Sequence, residues 1–299
     1  MKLLEKIRNI NISLPKVPIG RGGKTALSVY LTPELLRILE INSDGKPTFQ
    51  PVEYIWEGKN EEEKLAILKR YVEQYNLKGK IAHTCITAKN GILKLQRYPA
   101  NLPKKDLQEA IRAFVQVEKE NLKEESVADY FVWNSEDGNY RIVALAIVRK
   151  AVYDKLREIV EKAGLKLGIV DFEVTAIVNG GLELNLRKPF TILYIDYHES
   201  VLVHYMGTSV AYNVLYFTMK DYLETRDELI LQDLIIEVRN ILTVNEITAI
   251  YLAGKAIEDK DLLDALMTNL PIMSFLEPEN LKASFFIPYT LCLRGLEER

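Results

Sequence analysis

The chain has 299 residues, of which 48% are hydrophobic and 27% charged, so it is long enough for one large domain or two smaller ones. Its 39 Lys and Arg against 42 Asp and Glu give a net charge of -3, which argues against nucleic acid as a partner, since nucleic-acid binders carry a basic excess. With two cysteines, no CxxC pair and three histidines, the sequence predicts neither a disulfide framework nor a metal site.

The N-terminal segment does not have the pattern of a secretion signal, because Glu5, Lys6 and Arg8 interrupt its apolar residues. The longest purely apolar run, residues 142–148, is far shorter than the roughly 20 residues that span a bilayer. We therefore expect a protein of the reducing cytoplasm.

Residues 1–24 are predicted to form an arm and linker, since prolines and glycines follow a short amphipathic start. The Gly23-Lys24-Thr25 sequence resembles the end of a P-loop. That motif needs a glycine where Pro18 stands and a helix after Thr25, whereas a β-like segment follows here. No P-loop is predicted.

Hydrophobic periodicity predicts alternating strands and helices up to residue 184. The predicted strands are 26–31, 36–42, 51–56, 80–88, 91–98, 127–133, 140–148 and 167–170. The predicted helices are 61–74, 103–120, 152–163 and 174–184. Asn60 is a suitable N-cap, Gly164 a suitable helix stop, and Asn90-Gly91 a suitable turn between two strands.

Pro189 opens a second half with the same plan as the first. Its predicted elements are strands 190–196, 200–205 and 209–215, a helical region 219–242, strand 247–252, and helices 259–269 and 286–296. Each half begins with a β-meander and continues with helix–strand units, which predicts two related α/β domains.

Six segments, in order along the chain, carry a resemblance to a known family. They are NLKGK at 76–80, RYP at 97–99, L..AIR at 107–112, DY at 129–130, AGL at 163–165 with VDFE at 170–173, and LCLRG at 291–295. In this order and spacing they resemble the PilM family of type IV pilus assembly proteins, which is similar to the cell-division protein FtsA and has the actin-like ATPase fold.

The resemblance implies an α/β, actin-like (ribonuclease-H-like) fold of two domains with an inserted small α+β subdomain. The first domain would comprise residues 25–97 and 151–186, closed by 286–299. The inserted subdomain would comprise 98–150. The second domain would comprise 187–285, with a shortened subdomain, because few residues separate Leu215 from Glu237.

Active relatives hold the nucleotide phosphates between two hairpins, each with the sequence DxG. The resemblance places the first on Ser28-Val29-Tyr30, where the acid is lost and tyrosine replaces glycine. It places the second on Asp196-Tyr197-His198, where histidine replaces glycine. A bulky side chain in each loop obstructs the close approach of backbone to phosphate that glycine permits.

Three further positions correspond to the nucleotide pocket of the family. The adenosine turn falls on Gly254 and Lys255 and keeps one glycine of two, and Glu173 matches the acid that orients water in active relatives. We expect Glu173 to be an acid at a helix N-terminus, Asp196 to be solvated or to cap its hairpin, and His198 to be an ordinary turn residue.

The resemblance therefore implies a protein without ATP hydrolysis, with weak or absent ATP and Mg²⁺ binding and no cofactor. Its function would be that of a scaffold at the inner face of the cytoplasmic membrane, peripheral to it through its partners. These would be the N-terminal tail of a bitopic PilN-like protein, the pilus motor ATPases and a second copy of the chain. Two alternatives remain open: a GspL-like cytoplasmic component of a type II secretion system, and an active actin-like ATPase.

Overall fold

The structure, a computed structural model, describes residues 24–135 and 137–297. The predicted arm lies outside the described residues except for Lys24. Thr25 begins a strand, so the segment after Gly23-Lys24 lacks the helix that a P-loop needs. None of the described helices combines the length and apolar character that a membrane span requires.

The described residues form strands and helices that alternate along the chain. The strands are β1 (Thr25–Leu31), β2 (Leu35–Asn42), β3 (Val52–Ile55), β4 (Ile81–Ile86), β5 (Gly91–Pro99), β6 (Ser126–Asn134), β7 (Tyr140–Arg149), β8 (Lys166–Phe172), β9 (Phe190–Ile195), β10 (Ser200–Tyr205), β11 (Val210–Leu215), β12 (Ile250–Ala253) and β13 (Ile272–Leu276). The helices are α1 (Glu61–Gln74), α2 (Lys104–Leu122), α3 (Lys150–Lys162), α4 (Glu173–Glu183), α5 (Met219–Thr225), α6 (Glu228–Val244), α7 (Lys260–Asn269) and α8 (Phe286–Glu297).

Two five-stranded sheets share one topology. The first sheet has the order β3-β2-β1-β4-β8 and the second has β11-β10-β9-β12-β13. In each sheet the three strands that come first in the chain, β1 to β3 or β9 to β11, pair antiparallel. The two later strands, β4 and β8 or β12 and β13, are added in parallel. The fold-level repeat predicted from the order of elements is thus present as two sheets with the same strand order.

The main core lies between the two sheets, around α4 and α8. Because side chains alternate across a strand, Leu27 and Val29 of β1 face the helices α1 and α3, while Tyr30 faces the opposite side. In the second sheet Ile192 and Tyr194 likewise join the cluster of Tyr30. This alternation directs the polar positions of β1 and the end of β9 into the space between the two sheets.

The third sheet, β5-β7-β6, is antiparallel and is covered on one side by α2. The predicted start of the inserted subdomain at residue 98 falls inside β5. β5 pairs along its whole length with β7, from Gly91 opposite Val148 to Pro99 opposite Tyr140. Residues 91–97, which the prediction assigned to the first domain, thus lie in the third sheet.

The Asn90-Gly91 turn does not join a hairpin, which corrects the sequence prediction. β4 pairs with β1 and β8, whereas β5 belongs to another sheet. A type I′ turn needs positive φ at both central residues, but Asn90 ends a short 3₁₀ helix and Gly91 has a φ of -163°, which is extended backbone. The dipeptide instead marks the point where the chain leaves the first sheet.

The predicted helical region 219–242 is divided in two. Arg226 adopts a φ of 52° and ends α5, and the carboxylate of Asp227 accepts the backbone N–H of Leu229 to cap α6. The strand β13 was not predicted, because its half-exposed sequence IMSFL has no clear alternation. The described residues between β11 and β12 form these two helices.

The contact between α4 and α8 can be tested at Gly180. A Cβ there would lie 2.9 Å from Cε2 of Phe286 and overlap the ring. We expect Gly180→Ala to lower the free energy of unfolding by about 1–3 kcal/mol through overpacking, although alanine favours an isolated helix by about 1 kcal/mol. Urea denaturation would measure this change.

The matched control is the double variant Gly180→Ala/Phe286→Leu, in which the smaller side chain makes room for the new methyl group. Its loss of stability should be less than the sum of the two single losses. An alanine variant as stable as the parent would contradict the described packing of α4 on α8.

Candidate functional site

The candidate site lies between the β1–β2 hairpin and the turn that joins β9 to β10, at the N-terminus of α4. Its polar side chains are all buried, each less than 5% exposed. They are Tyr30, Arg37, Glu173, Asp196, His198 and Glu199. Three come from elements of the first sheet and its helix α4, and three from the turn of the second sheet.

A buried ion pair joins Arg37 of β2 to Asp196, the residue after β9. The guanidinium donates from Nη2 to Oδ1 at 2.6 Å and from Nη1 to Oδ2. Oδ1 also accepts the backbone N–H of Tyr197 at 2.7 Å, and Oδ2 accepts the hydroxyl of Tyr194. Both oxygens of Asp196 are therefore engaged by the protein itself.

The expectation that Asp196 is solvated is wrong, whereas its bond from the backbone N–H of Tyr197 is the hairpin cap that was offered as the alternative. Its side chain has no exposure, and its charge is matched by an arginine 159 residues earlier in the chain. Burial alone would raise the pKa of Asp196, but the charge and hydrogen bonds of Arg37 hold that pKa well below its ordinary value.

The ion pair extends into a chain of alternating charges. Nε of Arg37 donates to Oε2 of Glu53 at 2.7 Å, and Nζ of Lys255 contacts Oε1 of the same carboxylate at 2.6 Å. Burial tends to raise the pKa of Glu53, but Arg37 and Lys255 lower it overall. Arg37 and Glu53 lie on strands of the first sheet, whereas Asp196 and Lys255 follow strands of the second, so the chain of charges crosses between the two halves twice.

Tyr30, Glu173 and His198 form a second network beside the ion pair. The Tyr30 hydroxyl donates to Oε1 of Glu173 at 2.8 Å, and Nε2 of His198 lies 2.8 Å from the same hydroxyl oxygen. With the phenol proton directed to Glu173, Nε2 carries a proton and donates to the phenol oxygen. The backbone N–H of Ala88 donates to Oε2 of Glu173 at 2.9 Å.

Glu173 is the first residue of α4, which confirms its place at a helix N-terminus, where negative charge is favoured. Burial tends to raise the pKa of Glu173, but hydrogen bonding to His198 and the charge of that imidazole lower it overall. The expectation for His198 is wrong, because its ring is buried in this network. Local sequence could not reveal a partner 168 residues away.

Glu199 is a site residue that the sequence did not single out. Its Oε1 accepts the backbone N–H of Lys89 at 2.8 Å, and its carboxylate lies close to Glu173. Burial, and then the negative charge of Glu173, raise the pKa of Glu199 to about 9. The only sequence signal was an acidic residue directly after His198 in a turn that already matched the family pattern.

The remaining predicted positions have structural contacts. Ser28 lies on β1 two residues before Tyr30 and is buried. Gly254 has a φ of 89°, and a Cβ there would lie 2.5 Å from the carbonyl oxygen of Ile195, so the close approach of β12 to β9 requires glycine. The structure thus brings Tyr30, Glu173, Asp196, His198 and Lys255 to one interface, with Ser28 and Gly254 at its edge.

Neither a protein-family model nor a curated protein sequence matches the chain. Solved structures do. A "PilM-PilN type IV pilus biogenesis complex" superposes with a TM-score of 0.69 at 18% identity, covering 91% of this chain and 98% of the other. A Bacteroides thetaiotaomicron protein with an actin-like ATPase fold and unknown function has a TM-score of 0.51 at 13% identity, covering 92% and 98%.

The ethanolamine utilization protein EutJ from Carboxydothermus hydrogenoformans is also similar, with a TM-score of 0.50 at 10% identity over 98% of both chains. At these identities the similarity establishes the fold. The chain has the α/β actin-like fold, as the sequence predicted.

The coupling of Arg37 and Asp196 can be measured with a double-mutant cycle of Arg37→Met and Asp196→Asn. Each single variant leaves an unmatched buried group, and Arg37→Met should lower the free energy of unfolding by about 3–5 kcal/mol. The double variant should lose less than the sum of the single losses, as urea denaturation would show.

The control cycle uses the exposed Glu158–Lys162 pair on α3, for which we expect a coupling of less than about 1 kcal/mol. Equal coupling in the two cycles would contradict a special role for the buried pair.

The raised pKa of Glu199 predicts a pH dependence of stability in protein freed of divalent cations. Between pH 4.5 and about 9 the folded state holds a proton on Glu199 that the unfolded state releases. Stability should therefore fall as pH rises, by up to about 1.4 kcal/mol per pH unit from this group. Glu199→Gln should remove that part of the slope, whereas the exposed-site control Glu277→Gln should keep it. Identical pH profiles for parent and Glu199→Gln would refute the assignment.

Proposed function

We propose that the chain is a scaffold of a type IV pilus-like assembly platform, which binds the N-terminal tail of a bitopic inner-membrane protein similar to PilN and does not hydrolyse ATP. It would act in the cytoplasm at the inner face of the membrane and remain peripheral to it through its partners. Motor ATPases of the pilus and a second copy of the chain are further expected partners.

The absence of catalysis is supported by the state of Asp196. In this proposal Ser28, Tyr30, Glu173, Asp196, His198, Gly254 and Lys255 occupy the positions of the nucleotide pocket of active relatives. A metal–nucleotide complex entering there would have to displace the Arg37 guanidinium from a fully buried carboxylate. It would also have to separate Tyr30 from His198, whose side chains stand where phosphate loops need glycine.

The scaffold function is supported by the similarity to the PilM–PilN complex, whose superposition covers nearly all of both chains. It is also supported by the position of the third sheet, an accessory unit inserted between β4 and α3 rather than a part of either five-stranded sheet. We propose that the groove between this unit and the first-sheet core receives the partner tail.

Titration calorimetry with Mg-ATP tests the proposed loss of the nucleotide site. We expect no binding in the low-micromolar range and no phosphate release above background in a turnover assay, because Arg37, Tyr30 and His198 fill the site. Low-micromolar binding, or turnover that Glu173→Gln abolishes, would favour the active-ATPase alternative and overturn this part of the proposal.

Fluorescence anisotropy with a labelled N-terminal peptide of the PilN-like protein from the same genome tests the partner. We expect saturable binding, absent for a scrambled peptide of equal composition. Tyr130 on β6 of the inserted unit is 42% exposed, and Tyr130→Ala should weaken binding about tenfold if the tail contacts this unit.

The matched control is Tyr216→Ala after β11, since that tyrosine is 97% exposed and lies outside the inserted unit. It should leave the affinity unchanged. No saturable binding of the native peptide would overturn the proposed partner.

A further inference from the structure

Glu173, His198 and Glu199 bring two carboxylates and an imidazole together inside the protein. One ligand atom from each residue lies within 4.8 Å of the others. Nε2 of His198 contacts the Tyr30 hydroxyl oxygen, so Nδ1 is the imidazole atom that remains for a ligand. Two donors on one tetrahedral Zn²⁺, each about 2.0–2.1 Å from the metal, are about 3.3 Å apart, so the side chains would move closer together to complete this set.

One polar atom of this cluster lacks a partner. Nδ1 of His198 is buried and forms no hydrogen bond among the described residues. The residue is only 4% exposed. Buried polar atoms are nearly always paired in folded proteins, so this nitrogen indicates a binding partner that completes the cluster.

The cations of the neighbouring ion-pair chain are engaged elsewhere. Arg37 forms its ion pairs with Asp196 and Glu53, and Lys255 forms its own with Glu53 and Glu258. The carboxylates of Glu173 and Glu199 thus lie side by side, with the imidazole of His198 beside Glu173. A divalent cation would balance the charge of both carboxylates.

We propose that Glu173, His198 and Glu199 bind one divalent transition-metal cation of the Zn²⁺ class. Imidazole with carboxylates suits Zn²⁺ and its neighbours, whereas Mg²⁺ prefers oxygen donors alone. Tyr30 would orient two of the ligands, since its hydroxyl contacts both Glu173 and His198. The sequence had predicted no metal site, because the chain has only three histidines and no CxxC pair.

The cation would act as a staple between the two sheets. Glu173 begins α4, which follows β8 of the first sheet, whereas His198 and Glu199 belong to the β9–β10 turn of the second. Binding would therefore stabilise the closed arrangement that the neighbouring Arg37–Asp196 pair also requires. This site is independent of the partner proposed above, and its ligands are protein side chains rather than nucleotide phosphates.

The test uses the full chain, treated with a chelator and dialysed, then titrated with ZnCl₂, MnCl₂ or MgCl₂. Calorimetry should show one Zn²⁺ per chain, weaker binding of Mn²⁺, and no binding of Mg²⁺ at the same concentrations. The melting temperature should rise with the concentration of Zn²⁺, because a ligand that binds only the folded state stabilises it.

Glu199→Gln and His198→Gln should each weaken Zn²⁺ binding at least about tenfold, the smallest loss typical even of outer-shell partners. The matched controls are Glu277→Gln, which is exposed, and His204→Gln, whose ring contacts Thr191 on the second sheet. Both should bind Zn²⁺ as the parent does.

Unchanged Zn²⁺ binding in Glu199→Gln, or no binding by the parent chain, would overturn the site and leave a shared proton between Glu173 and Glu199 as the explanation of the cluster. If the variants fail to fold, crystals of the parent soaked in ZnCl₂ decide the question. An anomalous peak within bonding distance of Glu173 and Glu199 is the expected result, and its absence there refutes the proposal.

Discussion

The ion pair between Arg37 and Asp196 is the constraint on which the site depends. Neither side chain has contact with solvent, so each charge is tolerable only while the other is in place. Because one belongs to the first sheet and the other to the second, the two sheets cannot separate at this point without exposing or orphaning a charge. Glu53 and Lys255 form a further ion pair between the two halves, nearer the surface.

The buried ion pair fixes how the two sheets face each other. Two sheets of identical topology face each other across α4 and α8. Arg37 supplies the cation that matches Asp196, and Tyr30 and His198 occupy the adjoining space. The proposed metal would add a second bond across the same interface. Both features favour one fixed arrangement of the two sheets.

Much of the fold followed from local patterns. The helix over residues 61–74 was predicted with its observed bounds and its N-cap Asn60, and the meander of the second half was correct within one residue at each strand. The actin-like fold itself came from short segments in a recognisable order. Asn90-Gly91 was misread because sheet membership, which decides whether two strands form a hairpin, is set by distant residues.

The sequence indicated which residues to examine in the candidate site, but it could not predict the contacts between them. Motif matching located Tyr30, Glu173, Asp196 and His198, yet their contacts join residues more than 140 apart in sequence. The C-terminal helix α8 shows the same dependence on distance, since its Cys292, together with Phe285 just before the helix, packs on Ala26 and Leu39 of the first hairpin. During synthesis, β1 and β2 emerge from the ribosome early but must wait for residues 286–297 before this core can close. The first half is thus the last to finish folding, and a chain stalled near residue 280 would expose its sheet to chaperones and proteases.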